Sequence, residues 1–210
     1  MAKVILVNGS PNEKGCTYTA LCAVEKELNV NGIKTEIFHV GKSVSACTAC
    51  YACAKNKNSR CVIDADSVNR FIEKAEKADG FVFGTPVYFA SGAGGMNSFM
   101  DRVFFAARSK VMPYKPGAVV ASCRRAGSTA ALDNMLKYLT ISQMPVVTSN
   151  YWSMVHGSKP EDVETDLEGM QVMRYIGKNM AWLLKCIEAG KKAGIDIPEQ
   201  EKKIWTNFVR

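Results

Sequence analysis

Long apolar runs and histidine are both scarce in this sequence of 210 residues. No stretch approaches the ~18 consecutive apolar residues that a membrane helix needs. The opening residues are apolar for only a short run before Gly9, which is too short for a signal peptide. We therefore expect a cytoplasmic protein that binds no membrane. The two histidines, His39 and His156, stand alone, so we expect structural roles for them and assign no catalytic side chain.

Basic residues outnumber acidic ones, 27 to 20, and give the chain a formal net charge of +7. They are scattered, and the densest pairs, at 191–192 and 202–203, fall on a predicted helix and on the C-terminal segment. Aromatic side chains do not interleave with a basic stripe, as they would on a nucleic-acid surface. We therefore expect no nucleic-acid binding and interpret the excess charge as solvated helix surface.

Strand-like and helix-like segments alternate five times along the chain. The predicted strands cover residues 3–8, 33–40, 80–84, 117–123 and 145–148, and the predicted helices cover 17–31, 66–78, 96–107, 128–141 and 160–190. This alternation predicts an α/β fold with a doubly wound, five-stranded parallel sheet between two helix layers, in the order 2-1-3-4-5. A ligand would then lie at the carboxyl ends of strands one, three and four.

The composition, 47% hydrophobic and 22% charged, is that of an ordinary globular domain. We assign residues 1–193 to one domain with a cysteine-rich insertion at 45–62, and residues 194–210 to a polar tail. The tail carries Trp205 and Phe208. The last helix is long, and a break is expected near Gly169 or Gly177.

The first predicted strand is followed by a loop, residues 9–17, that leads directly into a helix. Unpaired backbone N–H groups and the positive end of the helix dipole suit such a junction to a phosphate group. Ser10, Asn12 and Thr17 can add donors. The loop lacks the order of a triphosphate loop, because Lys14 precedes the second glycine, and it lacks the Gly-x-Gly-x-x-Gly of a dinucleotide site. A monophosphate fits best, and an ordinary strand-to-helix turn is the alternative.

Two loops together resemble those of a known family. Gly9-Ser10-Pro11-Asn12 followed by Thr17, and the segment from Gly84 to Gly92, resemble the phosphate loop and the ring loop of NADPH-dependent FMN reductases and iron–sulfur flavoproteins, which have the flavodoxin-like fold. The resemblance covers residues 3–148. It implies FMN as cofactor, NAD(P)H as electron donor, and a homodimer or homotetramer.

The resemblance also implies which residues bind FMN. They are Ser10, Asn12, Cys16, Thr17, Pro86, Val87, Tyr88, Phe89, Ser91, Gly92, Ser122 and Gly127. The family usually has Arg or Lys in place of Asn12 and often Asn in place of Cys16. An Asp-Arg pair, here Asp101 and Arg102, recurs in the family, and we expect it to serve helix packing or subunit contacts.

The composition of the ring loop suits a flat cofactor. Pro86 fixes a turn, while Val87, Tyr88 and Phe89 supply flat apolar surface. Successive amides can then face the polar edge of a flavin, whose charge changes on reduction. A place for the two aromatic residues in the hydrophobic core is the alternative. A third loop, 122–127, lies where relatives close over one end of the flavin.

Four of the eight cysteines form the motif Cys47-x2-Cys50-x2-Cys53-x7-Cys61. Two-residue spacings let thiolates converge on one inorganic centre, as in ferredoxin-type [4Fe–4S] sites. Zinc sites usually show two separated cysteine pairs. Iron–sulfur flavoproteins carry a compact motif of this form in the same place, after the second strand. A cluster, free thiols, zinc and disulfide exchange all stay open.

Together the motifs predict an FMN-dependent oxidoreductase. Electrons would pass from NAD(P)H through FMN to a small-molecule or protein acceptor, or to an iron–sulfur cluster. No catalytic side chain is needed, because the cofactor carries the chemistry. Two other functions stay open. One is an electron-transfer protein that turns over no substrate itself, and the other is a thiol-based redox or metal sensor.

Overall fold

The computed structural model describes residues 1–206. Strands and helices alternate as the spacing of apolar residues predicts. Their bounds are β1 Lys3–Asn8, α1 Cys16–Val30, β2 Lys34–His39, α2 Ala52–Asn56, α3 Val68–Glu76, β3 Gly80–Tyr88, β4 Ser91–Gly92, α4 Gly94–Ala107, β5 Gly117–Cys123, α5 Ser128–Ile141, β6 Met154–His156, α6 Pro160–Thr165 and α7 Leu167–Lys192.

Five strands form a parallel sheet in the order β2-β1-β3-β5-β6, and the two-residue β4 pairs antiparallel with the end of β3. With β4 set aside, this is the predicted order 2-1-3-4-5. The flavodoxin-like fold class is therefore confirmed.

Alternate residues of the central strands face opposite helix layers. Ile5 and Val7 of β1 pack toward α3, α4 and α5, whereas Val4 and Leu6 pack toward α1 and α7. All four side chains are fully buried, as expected for a parallel sheet covered on both faces. The carboxyl ends of β1, β3 and β5 lie side by side, because these strands pair in direct register. The loops that follow them are therefore neighbours.

The fifth strand is not where the sequence predicts it. Residues 145–148 make only an isolated bridge, between Val146 and the start of β5, and the chain then leaves the sheet. It returns as β6, which pairs with the end of β5. Tertiary contacts explain the departure, since the Ser149 hydroxyl donates to a carbonyl of α7 at 2.7 Å. The excursion covers a cavity of about 260 Å³ and carries Tyr151 and Trp152.

The long last helix is broken at Asp166, three residues before Gly169 and so near one of the two predicted places. α6 ends at Thr165 and α7 begins at Leu167, because Asp166 caps α7 by accepting the N–H of Gly169 at 2.9 Å. Gly177 lies inside α7, where a side chain would come within 3.0 Å of a carbonyl of α1. The glycines therefore serve capping and close helix packing.

Beyond α7, residues 194–206 form neither helix nor strand. Trp205 is exposed there, and Phe208 lies outside the described residues. Within residues 1–206, no helix is both long enough and apolar enough to cross a membrane.

Candidate functional site

Three helices, α1, α4 and α5, begin just after the loops that follow β1, β3 and β5, which we call the strand-end loops. Their N-cap residues are Gly15, Ala93 and Gly127, which carry no hydrogen-bonding side chain, and their first turns hold no acidic residue. α1 is thus capped by Gly15 and not by Thr17, where the sequence predicts its start. In contrast, the Asp166 carboxylate caps α7. Uncapped N–H groups at neighbouring helix starts are suited to binding an anion.

The first strand-end loop is held by its own side chains. The buried Asn8 accepts the N–H of Ser10 at 3.1 Å and donates to the Glu13 carbonyl at 2.8 Å. The Ser10 hydroxyl accepts the Asn12 N–H at 3.1 Å, and His39 Nε2 donates to the Ser10 carbonyl at 2.9 Å. The loop is therefore preorganised. Sequence reasoning missed Asn8, although an asparagine at the end of a buried apolar strand is the signal that could have found it.

The predicted ring loop is a hairpin. β3 continues to Tyr88, the chain turns at Phe89 and Ala90, and β4 pairs back onto β3. Both turn residues have left-handed backbones, with φ of 49° and 58°, as in a type I′ turn. For residues with side chains this conformation costs about 1–2 kcal/mol each. Tyr88 and Phe89 are exposed, so their alternative placement in the hydrophobic core is wrong.

Bonds at its base fasten the hairpin to α4. Thr85 accepts the N–H of Ala93 at 3.0 Å, and Asn97 donates to the Gly92 carbonyl at 3.1 Å and to the Ser91 hydroxyl at 3.2 Å. A Cβ at Gly92 would come within 2.9 Å of the Asn97 amide oxygen, so a larger residue there would displace the Asn97 side chain. Thr85 and Asn97 are supporting residues that no local sequence signal marks.

The third strand-end loop contacts both of the others. The hydroxyls of Thr17 and Ser122 share a buried hydrogen bond of 2.8 Å, which joins the start of α1 to the end of β5. Gly127 has a left-handed backbone, φ 89°, and a Cβ there would lie 2.9 Å from the Ala90 Cα at the hairpin turn. The three strand-end loops therefore form one connected surface.

The structure brings most of the predicted FMN-binding residues to this surface. Ser10, Thr17 and Ser122 are buried where the loops meet, and Asn12 and Gly127 lie elsewhere in the loops. The hairpin contains the other six: Pro86, Val87, Tyr88, Phe89, Ser91 and Gly92. Cys16 differs, because its thiol donates to the Gly157 carbonyl, at 3.6 Å, in the loop after β6. Burial raises the pKa of that thiol.

The four clustered cysteines surround one cavity within the insertion, residues 45–62, which we call the cysteine loop. The cavity is lined by Cys47, Thr48, Cys50, Tyr51, Cys53, Cys61, Val62, Ile63, Arg102 and Phe105. Cys47 and Cys50 are exposed, and Cys53 and Cys61 are half-buried. None of the eight cysteines, all of which lie within the described residues, forms a disulfide. All four cysteines of the motif therefore line the same cavity.

The backbone of the cysteine loop is strained. Ala49, Tyr51, Lys57 and Ser59 all have positive φ, between 52° and 56°. None of them is glycine, so each conformation costs about 1–2 kcal/mol. Such strain persists only where surrounding contacts fix the backbone, and it concentrates at functional segments.

One buried side chain from α4 fastens the cysteine loop to the domain. Arg102 is 1% exposed and pairs with the Asp66 carboxylate. Its Nε donates to Cys61 Sγ at 3.3 Å, and its terminal nitrogens donate to the carbonyls of Ile63 at 2.6 Å and Ser45 at 3.3 Å. The expectation that Arg102 serves helix packing or subunit contacts is corrected, because its partners belong to the cysteine loop and the residues that follow it.

Cys61 is also held through its backbone. The buried Asn69 of α3 accepts the Cys61 N–H at 2.9 Å and donates to the Cys61 carbonyl at 2.8 Å. Both the main chain and the sulfur of Cys61 are therefore positioned by neighbours.

The four thiols surround the cavity without meeting at one point. Within residues 1–206, no three His, Cys, Asp or Glu side chains are close enough to share one metal ion. A tetrahedral zinc ion with bonds of about 2.3 Å would hold its sulfurs roughly 3.8 Å apart. In a [4Fe–4S] cluster each thiolate binds a different iron, so the sulfurs surround a larger body. Four cysteines that line one cavity supply the donor set of an iron–sulfur cluster, although within residues 1–206 they do not form a site for a single ion.

The thiols of the cysteine loop differ in acidity. The main-chain N–H of Ala52 and the hydroxyl of Thr48 hold the pKa of Cys50 below its ordinary value. Burial raises the pKa of Cys53. Without a bound group, Cys50 is therefore the easier of the two to convert to the thiolate, the form that reacts and that binds metal.

Comparisons with known proteins agree with this geometry. The family model described as NADPH-dependent FMN reductase matches residues 2–159. An iron–sulfur flavoprotein of Methanocaldococcus jannaschii is 30% identical over 198 residues, which cover 89% of this chain and 99% of the relative.

Solved structures share the fold. An NAD(P)H:quinone oxidoreductase from Methanothermobacter marburgensis superposes with a TM-score of 0.66 at 16% identity, covering 85% of this chain and 95% of that one. A flavodoxin from the domain Archaea gives a TM-score of 0.58 at 13% identity, covering 88% and 99%. The resemblance drawn from the two loops is confirmed by the family match, which spans well over half of the sequence: the chain belongs to the NADPH-dependent FMN reductase family.

Proposed function

We propose that this chain binds FMN on the strand-end loops and acts as an NAD(P)H-dependent oxidoreductase. The observation that carries the proposal is the meeting of three helix starts, none with a capping side chain, at the ends of β1, β3 and β5. A phosphate dianion is the ligand that such donors and dipoles favour. The family match and the names of the relatives support FMN as its carrier.

Each loop has a distinct task in this proposal. The first turn of α1, with the Ser10 and Thr17 hydroxyls, would hold the phosphate. The hairpin and the third loop would supply backbone amides and the apolar surface of Val87 and Tyr88 for the ring. When bound, FMN supplies the capacity to accept a hydride and to release electrons singly or in pairs. The protein binds and orients it and need not supply an acid or base.

A test of the phosphate site changes the N-cap of α1. Gly15→Asp would place a carboxylate where the anion binds, and the backbone of Gly15 is extended, so a side chain is allowed there. We expect its FMN affinity to fall at least tenfold, about 1.4 kcal/mol. Riboflavin, which lacks the phosphate, should bind wild type and variant alike.

Gly15→Ala is the matched control, because its Cβ meets the same neighbour, Asn12, at 3.2 Å without adding charge. Titration of each apoprotein with each flavin, followed by fluorescence, measures the affinity of wild type and both variants for FMN and for riboflavin. A wild-type protein that takes up no FMN refutes the proposal, and so does an FMN affinity of Gly15→Asp equal to that of Gly15→Ala.

We further propose that Cys47, Cys50, Cys53 and Cys61 hold a [4Fe–4S] cluster, which would supply one-electron storage. Their shared cavity supports this, as do the relatives named iron–sulfur flavoproteins. Anaerobically purified protein should contain about four iron and four sulfide per chain. Cys50→Ala should lose the iron and keep the flavin, while Cys186→Ala, at an exposed cysteine on α7, should keep both. Iron retained at the wild-type level in Cys50→Ala would refute this part.

The same cavity favours a second candidate function, an electron-transfer protein that turns over no substrate itself. Steady NAD(P)H oxidation with a quinone or free flavin as acceptor separates the two. Sustained turnover supports the oxidoreductase. Flavin and iron without turnover support the electron-transfer protein.

The homodimer or homotetramer stays a prediction of the family resemblance. Light scattering on the FMN-loaded protein measures the assembly, and a monomer at all concentrations would contradict it.

A further inference from the structure

We propose that Arg102 is a positioning residue for the iron–sulfur site: it fixes Cys61 and, through its hydrogen bond to the Cys61 sulfur and its charge, raises the reduction potential of the cluster. This inference rests on the proposed function, since it requires that the four cysteines hold a cluster. It gives a role to a buried cation that FMN binding leaves unexplained.

All three nitrogens of the guanidinium donate hydrogen bonds to the cysteine loop or to the residues that follow it. Its Nε faces Cys61 Sγ at 3.3 Å, and its other nitrogens bond to Asp66 and to the carbonyls of Ser45 and Ile63. These partners lie at the first residue of the cysteine loop, near its end and just after it, so one guanidinium ties the two ends of the loop together. A lysine cannot reproduce that planar set of donors.

Cys61 is set apart from the other three cysteines. Its sulfur accepts a bond from a buried cation, and its main chain is fixed in both directions by Asn69. Cys47 and Cys50 are exposed, Cys50 lies between the strained residues Ala49 and Tyr51, and Cys53 lies on the short α2. The site is therefore asymmetric, with one ligand held in place by the domain and three carried by the loop.

The charge of Arg102 acts where solvent does not screen it. Its side chain is 0% exposed and that of Asp66 is 6% exposed. Hydrogen bonds to the sulfurs and nearby charge set cluster potentials, because reduction adds negative charge that donors and cations stabilise. Asp66 offsets part of this effect. Removing Arg102 should therefore lower the potential, and neutralising Asp66 should raise it.

The chain offers a matched control. Arg60 directly precedes Cys61 in sequence, but its side chain is 41% exposed and pairs with Glu73 and Asp64 at the surface. Water and salt screen a charge in that place. Arg60→Met should leave the potential unchanged.

The experiment compares four variants, Arg102→Met, Arg102→Lys, Asp66→Asn and Arg60→Met, with wild type after anaerobic purification. Iron content and FMN content are measured first, and a redox titration followed by visible and electron paramagnetic resonance spectra then gives the cluster potential. We expect a downward shift for Arg102→Met, a smaller downward shift for Arg102→Lys and an upward shift for Asp66→Asn. Simple damage to the loop does not produce shifts of opposite sign from the two partners of one ion pair.

Each outcome decides the proposal. Full iron with an unchanged potential in Arg102→Met overturns it, and so does a downward shift in Asp66→Asn. If Arg102→Met loses its iron, the signs of the shifts in Arg102→Lys and Asp66→Asn decide instead. A wild-type protein without iron overturns the proposed cluster, and this inference with it, whereas full iron with unshifted variants overturns this inference alone.

Discussion

The strand-end loops and the cysteine loop are built in opposite ways. The strand-end loops leave neighbouring parallel strands and bond to one another, through Thr17 with Ser122 and through the close approach of Gly127 to the hairpin. The cysteine loop is a long excursion with strained backbone, fastened mainly by Arg102 and Asn69. The sheet defines the first site and a few buried side chains define the second. The destabilising effects of substitutions should therefore be distributed over many residues of the strand-end loops and concentrated at a few residues of the cysteine loop.

The largest expected effect is at the fastening of the cysteine loop. In metal-free protein, Arg102→Met leaves the Asp66 carboxylate buried without its partner, which typically costs about 3–5 kcal/mol of unfolding free energy. Urea unfolding at neutral pH measures it. Arg60→Met, whose ion pairs are exposed, should show no measurable change. Equal effects of the two substitutions would contradict the dependence on a single buried contact.

The same comparison has a pH signature. Burial alone would raise the pKa of Asp66, but the bonds from Arg102 and from the N–H groups of Val68 and Ser45 bring it below its ordinary value. A depressed carboxyl pKa stabilises the fold above the unfolded-state pKa of about 3.9 and loses that effect as the pH falls further. The stability difference between wild type and Arg102→Met should therefore shrink below about pH 4. A difference that does not diminish as the pH falls below about 4 would argue against the ion pair as its cause.

A smaller effect is expected where two strand-end loops meet. Thr17→Val and Ser122→Ala each leave the other buried hydroxyl without its partner, which costs about 1–3 kcal/mol. The double variant should be no less stable than either single variant, because no unpaired hydroxyl remains. A double-mutant cycle measured by urea unfolding gives the coupling free energy between Thr17 and Ser122. Simple addition of the two single effects would show that the loops do not depend on this contact.

The contact between the third loop and the hairpin should contribute less. Gly127→Ala forces a left-handed alanine, at about 1–2 kcal/mol, against the Ala90 main chain. Gly94→Ala, at the start of α4 with open space around it, is the control and should be neutral or slightly stabilising. Thermal unfolding and FMN titration compare the two. Equal FMN affinities of the two variants would show that the contact between Gly127 and the hairpin does not contribute to cofactor binding.

The smallest expected difference concerns two thiols of the cysteine loop. In apoprotein near neutral pH, Cys50 should react with iodoacetamide before Cys53, because hydrogen bonds lower the pKa of Cys50 and burial raises that of Cys53. Mass spectrometry of peptides after timed labelling gives the order. The reverse order would mean that the loop rearranges when it is empty.

Much of the fold and part of the site could be predicted from the sequence for a physical reason. Alternating strand and helix segments determine a parallel sheet, and a parallel sheet brings the loops after its strands to one edge. The cysteine spacing is short enough that any compact loop brings the four side chains near one another. These are consequences of local pattern and chain order.

The remaining features depend on contacts between distant residues. Arg102 and Asp66 are 36 positions apart, and no local pattern links them. The turn at Phe89 and Ala90 contains none of the residues that usually mark a left-handed backbone. Residues 145–148 have a strand-like composition, yet bonds to α7 draw the following chain away from the sheet. In each case a tertiary contact overrides or adds to the local signal.

The departure of that segment has a consequence for solubility. On its outer side, β5 forms backbone hydrogen bonds with the following chain at Gly117 and again from Ala121 onward. Between these two places the following chain bulges away from the sheet, opposite Val119. An uncovered sheet edge is a template on which another molecule can add a strand and begin aggregation. Val119, Tyr151 and Trp152 line one cavity at this edge, so the bulging segment obstructs that approach. The bulge interrupts the pairing of β5, and it thereby helps to prevent intermolecular strand pairing at this edge of the sheet.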